Sequence, residues 1–281
     1  MSNKNINVLN DYFVRYLFAS SDSNALLLDF INSTMLDSGM KIFRSVEILT
    51  PFNYKANNED KETIVDVKCI TQNGAVVIIE IQLQGNSRFP ERILYYWASN
   101  YSKLLRHGEK YDALTPVISI NMLDFNLDAT ENIHSCYMLY ETNNKKLLTD
   151  HLQIHILELK KFKYDLLKPD LNCWLKFFTM KDKDDKEAIM SELVKEKTIM
   201  EEVQKKYNNF IKDRLMMNEY DKRQAYLYGN QIMLEEERRL GREEGKKEQQ
   251  ISIARNLKKT GIDLKIISDN TGLSIEEIKN L

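Results

Sequence analysis

Glu62-Thr-Ile-Val-Asp66-Val-Lys-Cys-Ile70, then Asn73-Gly74, then Ala75-Val-Val-Ile-Ile-Glu80-Ile-Gln82-Leu-Gln84 is the stretch that decides the fold. Both runs are dominated by Val and Ile, residues that suit a pleated strand packed on its two faces. An Asn-Gly pair between two such runs is a strong hairpin signal and brings the second strand back antiparallel to the first. Inside these apolar runs stand Asp66, Glu80 and Gln82. A carboxylate among aliphatic side chains is costly unless it is paired, hydrogen-bonded or bound to a metal. Two of them in adjacent strands ask for a cation.

The hairpin places Asp66 and Glu80 about one strand spacing apart, roughly 5 Å, on one side of the ribbon. Glu80 and Gln82 are two residues apart and therefore face the same way. The carbonyl of Ile81 lies between them. Such hard oxygen donors suit Mg²⁺, or Mn²⁺ in its place, rather than zinc. Lys68 is also two residues from Asp66, faces the same side, and is positioned to salt-bridge the carboxylates.

Outward from the hairpin, Leu9 to Leu36 reads as two helices joined by a turn, with Ser23 or Asn24 as N-cap. Arg44 to Tyr54 reads as a first strand ending near Pro51, and Phe89 to His107 as a helix closed by Gly108. Ala113 to Met122, Ser135 to Tyr140 and His151 to Leu159 read as further strands, and Pro169 opens a short helix. In the last strand the alternation of Leu152, Ile154 and Ile156 sets His151 and His155 on a polar face, which argues against a metal role for them.

From Asp182 to about Gln249 the chain turns rich in Lys and Glu, so a long helix is expected, broken near Gly229 and Gly241. Its interleaved charges read as a solvated face. The alternative is a homo-oligomerisation arm using Leu193, Met200, Val203, Tyr207, Phe210 and Leu215. The final segment reads as three short helices, with Ser274 and Glu277 as a capping box. It has the outline of a helix-turn-helix but few basic residues, which favours a packing or interaction tail over base readout. The expected divisions are thus 1–180 for an α/β domain with a mixed sheet flanked by helices, 181–249 for the charged arm, and 250–281 for the small helical tail.

Composition sets the outer bounds. With 40 Lys and Arg against 42 Asp and Glu the net charge is −2, so any nucleic-acid contact must come from local basic patches. The three cysteines are far apart and form neither a disulfide framework nor a zinc motif. No run of about 18 apolar residues and no signal-like start occurs, so the expected setting is cytoplasmic with no membrane partner.

Taken together, these residues resemble the PD-(D/E)XK nuclease superfamily, and within it the recombination-promoting nuclease or transposase-like group. The likeness rests on Asp66, the hairpin and Ile79-Glu80-Ile81-Gln82, on Asp11-x-x-Val14-Arg15-x-x-Phe18, and on Phe89-x-x-Arg92-x-x-x-Tyr96. Ala254 to Gly261 and Thr271 to Ile278 resemble the group's usual ending, so the likeness covers nearly the whole chain. It implies a restriction-endonuclease-like fold and a DNA endonuclease, linked to recombination or transposition, with Asp66, Glu80 and the Ile81 carbonyl binding Mg²⁺. Gln82 would orient a water or hold a phosphate oxygen, and Arg15, Arg88, Arg92 and Tyr96 would contact DNA. Gln82 stands where the superfamily commonly has lysine, and Arg15 where the group often has lysine. A neutral amide cannot supply positive charge at the reacting phosphate. The competing reading is therefore a catalytically inactive DNA-binding or assembly protein derived from such a nuclease.

Overall fold

The computed structural model describes residues 6–50, 52, 66–85, 88–164, 166–181 and 185–281. The two Val/Ile runs form strands β2 (Val67–Thr71) and β3 (Val76–Gln82), paired antiparallel with Val67 opposite Ile79. Gly74, at φ +79°, closes the turn in the left-handed region, where a Cβ would also lie 3.1 Å from the Thr115 methyl. The loop is Gln72-Asn73-Gly74, a three-residue connection with its glycine last rather than a two-residue turn, and Thr71 N donates to Ala75 O across it. Residues 62–65 of the expected strand lie outside the described residues, as do most of 51–54.

Strand β1 (Val46–Ile48) pairs antiparallel with β2. On its other side β3 runs parallel to β4 (Val117–Leu123), and β4 parallel to β6 (Leu147–Glu158), with β5 (His134–Tyr140) antiparallel at the edge. The six-stranded order is β1-β2-β3-β4-β6-β5, a mixed sheet. Every residue of β4 is buried, as is all of β3 except Gln82, which is how parallel strands covered on both faces behave.

One face carries Val67, Cys69, Val77, Ile79 and Ile81 against helices α1 (Asp11–Ala19), α2 (Asn24–Asp37) and α4 (Pro169–Phe178). Phe13, Phe18, Phe30, Trp174 and Phe178 are essentially inaccessible there, each worth about 2–3 kcal/mol of transfer free energy. The other face is covered by α3 (Phe89–Ser102), whose Phe89, Ile93 and Trp97 pack on Ile78, Leu123, Ile154 and Ile156. Helix α3 ends at Ser102, five residues before the expected His107. Ser23 occupies the N-cap position of α2, but its hydroxyl makes no capping bond.

Helices α5 (Lys186–Glu196) and α6 (Met200–Lys212) bring Leu193, Met200, Val203, Tyr207 and Phe210 into the same core as α1. Residues considered above for self-association are therefore covered within the chain, apart from the exposed Leu215. Helix α7 (Arg214–Lys259) runs 46 residues without a break at Gly229 or Gly241, contrary to expectation. The strong helix formers around each glycine outweigh a cost of about 1 kcal/mol apiece.

The chain divides into two compact units, Met1–Asp221 and Lys222–Leu281, so α5 and α6 belong to the first rather than to a separate arm. In the second unit, Ala254 of α7 packs with Ile267 of α8 (Leu264–Thr271), with Leu273 and with Ile278 of α9 (Ile275–Lys279). The Ser274/Glu277 capping box forms as expected.

Candidate active site

Extending the β2–β3 register by one residue sets Asp66 directly opposite Glu80. Asp66 sits at a bend just before β2, and its Oδ2 accepts a 2.7 Å hydrogen bond from the Ile81 amide. In an extended strand a residue's N–H and C=O point to the same edge, so the Ile81 carbonyl leaves β3 on the Asp66 side. The hairpin thus brings together the two carboxylates and the carbonyl selected from the sequence.

Burial dominates the electrostatics of this pair. It pushes the Asp66 carboxyl up to about 7, reinforced by the Asp11 carboxylate and by Glu80, while the Ile81 hydrogen bond and Arg15 pull the other way. The residue as a whole keeps some exposed surface, but its carboxyl is the withdrawn part. Glu80, only 4 % exposed, is also pushed to about 7 by burial, with Arg92 opposing. Its Oε1 is buried and lacks a hydrogen-bond partner among the described residues. An acceptor orphaned in this way costs about 1–3 kcal/mol, more if charged, unless something fills the gap.

Helix α3 supplies the third component. Arg92 lies on its first turn, donates from Nη2 to the Gln82 Oε1, and rests with its guanidinium carbon 5.2 Å from the centre of the Phe89 ring. Phe89 is backed edge-on by Phe125 at 5.3 Å. Gly85 lets the chain leaving β3 pass over that ring, since a Cβ there would stand 2.6 Å from Phe125. Local packing therefore aims the guanidinium at the strand bearing Glu80 and Gln82.

The remaining residues divide. Arg15, on α1 with Asp11 one turn earlier, acts on Asp66 through its charge. Arg88 lies on the exposed surface, 3.4 Å from Glu91. Tyr96 is half-buried, its ring 6.2 Å from that of Tyr95, and among the described residues no hydrogen bond ties it to the acids. Lys68 forms no ion pair with Asp66; burial and the charge of Lys103 hold its pKa below the ordinary lysine value. His155 departs from expectation. It is fully buried and bonded to His134, because the supposedly polar face of β6 is covered by α2.

One neighbour escaped the sequence reading. Asn121 of β4 pairs in register with Glu80, is fully buried, and donates to Ser119 Oγ and the His155 carbonyl, while its Oδ1 has no partner among the described residues. The signal was an amide inside the otherwise apolar run Val117-Ile-Ser-Ile-Asn-Met-Leu123.

Among the described residues no three His, Cys, Asp or Glu side chains gather as a ready-made ion site. Two opposed carboxylates, an orphaned buried oxygen and a strand carbonyl nonetheless fit a hard divalent cation that keeps several of its waters.

The mixed sheet flanked by helices, with opposed acids on its central hairpin, places the protein in the restriction-endonuclease-like α/β class. More particularly, the model of the PD-(D/E)XK nuclease family transposase matches residues 8–237, and the chain belongs to that family. Nucleases of the PD-(D/E)XK type typically use divalent metals. No curated protein and no solved structure matches the chain. Among the described residues no helix is long and apolar enough to cross a membrane.

Proposed function

We propose that this protein is a Mg²⁺-dependent DNA endonuclease that hydrolyses phosphodiester bonds in recombination or transposition. The observation that carries the reading is the buried Glu80 opposite Asp66, with an oxygen left unbonded where a cation fits. Asp66, Glu80 and the Ile81 carbonyl would hold the ion. When bound, Mg²⁺ polarises the phosphodiester and lowers the pKa of a coordinated water.

The chain's own groups then have distinct tasks. Gln82 has its Oε1 engaged by Arg92, so its amide NH₂ is the group left to donate to a water or a phosphate oxygen. Arg15, Arg88 and Arg92 neutralise DNA phosphates, and Tyr96 abuts the sugar-phosphate backbone. Asp66 and Glu80 must both be ionised to hold the cation, so protons compete with it for these carboxylates, which burial holds up to about 7 in the absence of metal.

Nicking of supercoiled plasmid by the full chain tests this. Cutting with Mg²⁺ that stops in EDTA, and that is lost in Asp66→Ala and Glu80→Ala, is the expected result. A salt-sensitive DNA gel shift with no cutting in any metal instead identifies a non-catalytic DNA-binding protein.

A further inference from the structure

We propose that Arg92 is a catalytic residue that supplies, from helix α3, the positive charge at the reacting phosphate that the neutral Gln82 cannot. This rests on the endonuclease reading and adds a role in the chemical step to the phosphate contact assigned above.

Two unsatisfied atoms carry the argument. Among the described residues Arg92 Nε is buried without an acceptor, and Glu80 Oε1 is buried without a donor. Arg92 is bonded to Gln82, two residues along β3 from Glu80 and facing the same way, yet among the described residues Arg92 and Glu80 form no ion pair. A guanidinium and a carboxylate withdrawn from water normally close on each other, because each unpaired charge is expensive. Here the guanidinium is held away by Gln82 at Nη2 and by the Phe89 ring beneath it. A group that accepts from Arg92 and also carries a cation toward Glu80 would satisfy both atoms. A phosphodiester oxygen does both.

Hydrolysis joins a water oxygen to phosphorus and breaks one bridging P–O ester bond. The proton lost by the water is balanced by the one gained by the departing alkoxide, leaving a phosphomonoester and an alcohol. Negative charge accumulates on the non-bridging oxygens as this happens. A fixed guanidinium donor stabilises that charge more than it stabilises the bound substrate, which is the condition for raising the rate. Gln82 then acts as a positioning residue, its carbonyl fixing the fork that its amide could not replace.

The experiment compares the full chain with Arg92→Gln, Arg92→Lys and the double variant Arg92→Gln/Gln82→Lys. Single-turnover plasmid nicking in Mg²⁺ at saturating enzyme is measured beside DNA affinity in Ca²⁺ and the melting temperature. Arg92→Gln should slow nicking by about 100-fold or more, with DNA affinity falling only about tenfold or less, as for loss of one phosphate contact. Moving a cation to position 82 in the double variant should recover at least a tenth of the parent rate. Should Arg92→Gln melt early, nicking is compared below its melting temperature with Arg92→Lys as the charge-retaining control: a rate lost in Arg92→Gln and largely kept in Arg92→Lys supports the inference, and equal rates in the two overturn it.

Nicking by Arg92→Gln within a few-fold of the parent overturns the inference and leaves the endonuclease reading standing, as does a deficit that vanishes at saturation. A parent that cuts nothing overturns the endonuclease reading, and the catalytic role of Arg92 with it.

Discussion

Two buried polar clusters sit on opposite faces of the same sheet, and they are built differently. On the face covered by α1, α2 and α4, Asp37 Oδ2 meets His134 Nδ1 at 2.7 Å, His134 Nε2 meets His155 Nδ1 at 3.0 Å, and Cys136 Sγ lies 3.8 Å from His155 Nε2. The Lys168 amide closes the chain by donating to Asp37 Oδ1 at 2.9 Å. On the face covered by α3, Glu80, Asn121 and Arg92 each keep a buried atom without a partner among the described residues. Burial of polar groups is common to both, so burial alone does not mark a functional site. The difference is closure. The histidine cluster consumes its own hydrogen-bonding capacity, whereas the acidic one leaves capacity for something that is not part of the chain.

The sharpest way to break this comparison is to truncate one member of each cluster. Glu80→Ala should cost at least about 100-fold in plasmid nicking while leaving the melting temperature in EDTA unchanged or raised, because it removes a carboxylate that burial disfavours. His155→Ala should do the reverse. Stranding His134 costs about 1–3 kcal/mol, a fall of several degrees by differential scanning calorimetry, with nicking retained below the new melting temperature. Equal and parallel effects of the two substitutions would dissolve the distinction.

Acidity offers a second contrast, because the clusters respond to pH with opposite signs. Asp66 and Glu80, raised to about 7, keep their protons in the folded chain after the unfolded chain has released them. Their stabilising contribution is complete below about pH 4 and is lost as pH rises through 7. His155 is depressed to about 3, first by burial and then by His134, so its contribution is present above pH 6.5 and is lost as pH falls toward 3. Although burial opposes it, the His134 bond holds the Asp37 carboxyl below its ordinary value, extending that acid-side loss. In EDTA, the melting-temperature advantage of Asp66→Asn/Glu80→Gln over the parent should grow between pH 5 and pH 8. The advantage of the parent over His155→Leu should grow across pH 4 to 7.

The smallest expected effect falls on Asn121, which touches the site only through its neighbours. Asn121→Ala should weaken Mn²⁺ binding or slow nicking by about tenfold, the usual scale for a residue behind the ligands. A parent-like variant would restrict the unsatisfied cluster to Glu80 and Arg92.

Much of the site was legible because its determinants are local. The period of two in the Val/Ile runs and the turn at Gly74 depend on a few neighbouring residues and put Asp66, Glu80 and Gln82 forward as the proposed site, while the family resemblance added the roles of Ile81 and Arg92. What escaped depends on pairings distant in sequence. His155 looks solvent-facing by alternation, until Asp37 from α2 arrives 97 residues before the His134 it holds. Asn121 looks like an ordinary strand residue until the parallel β3–β4 register sets it beside Glu80. The apolar stripe of α5 and α6 is visible in sequence, but not that its partner is the core around Phe13.

The most direct test is a calorimetric titration of the metal-free full chain with Mn²⁺ near pH 8. One ion should bind per chain, with affinity reduced at least about tenfold by either Asp66→Asn or Glu80→Gln and weakened again near pH 6 as protons compete. Absence of binding, or binding indifferent to both substitutions, would contradict the claim that these two carboxylates share a cation.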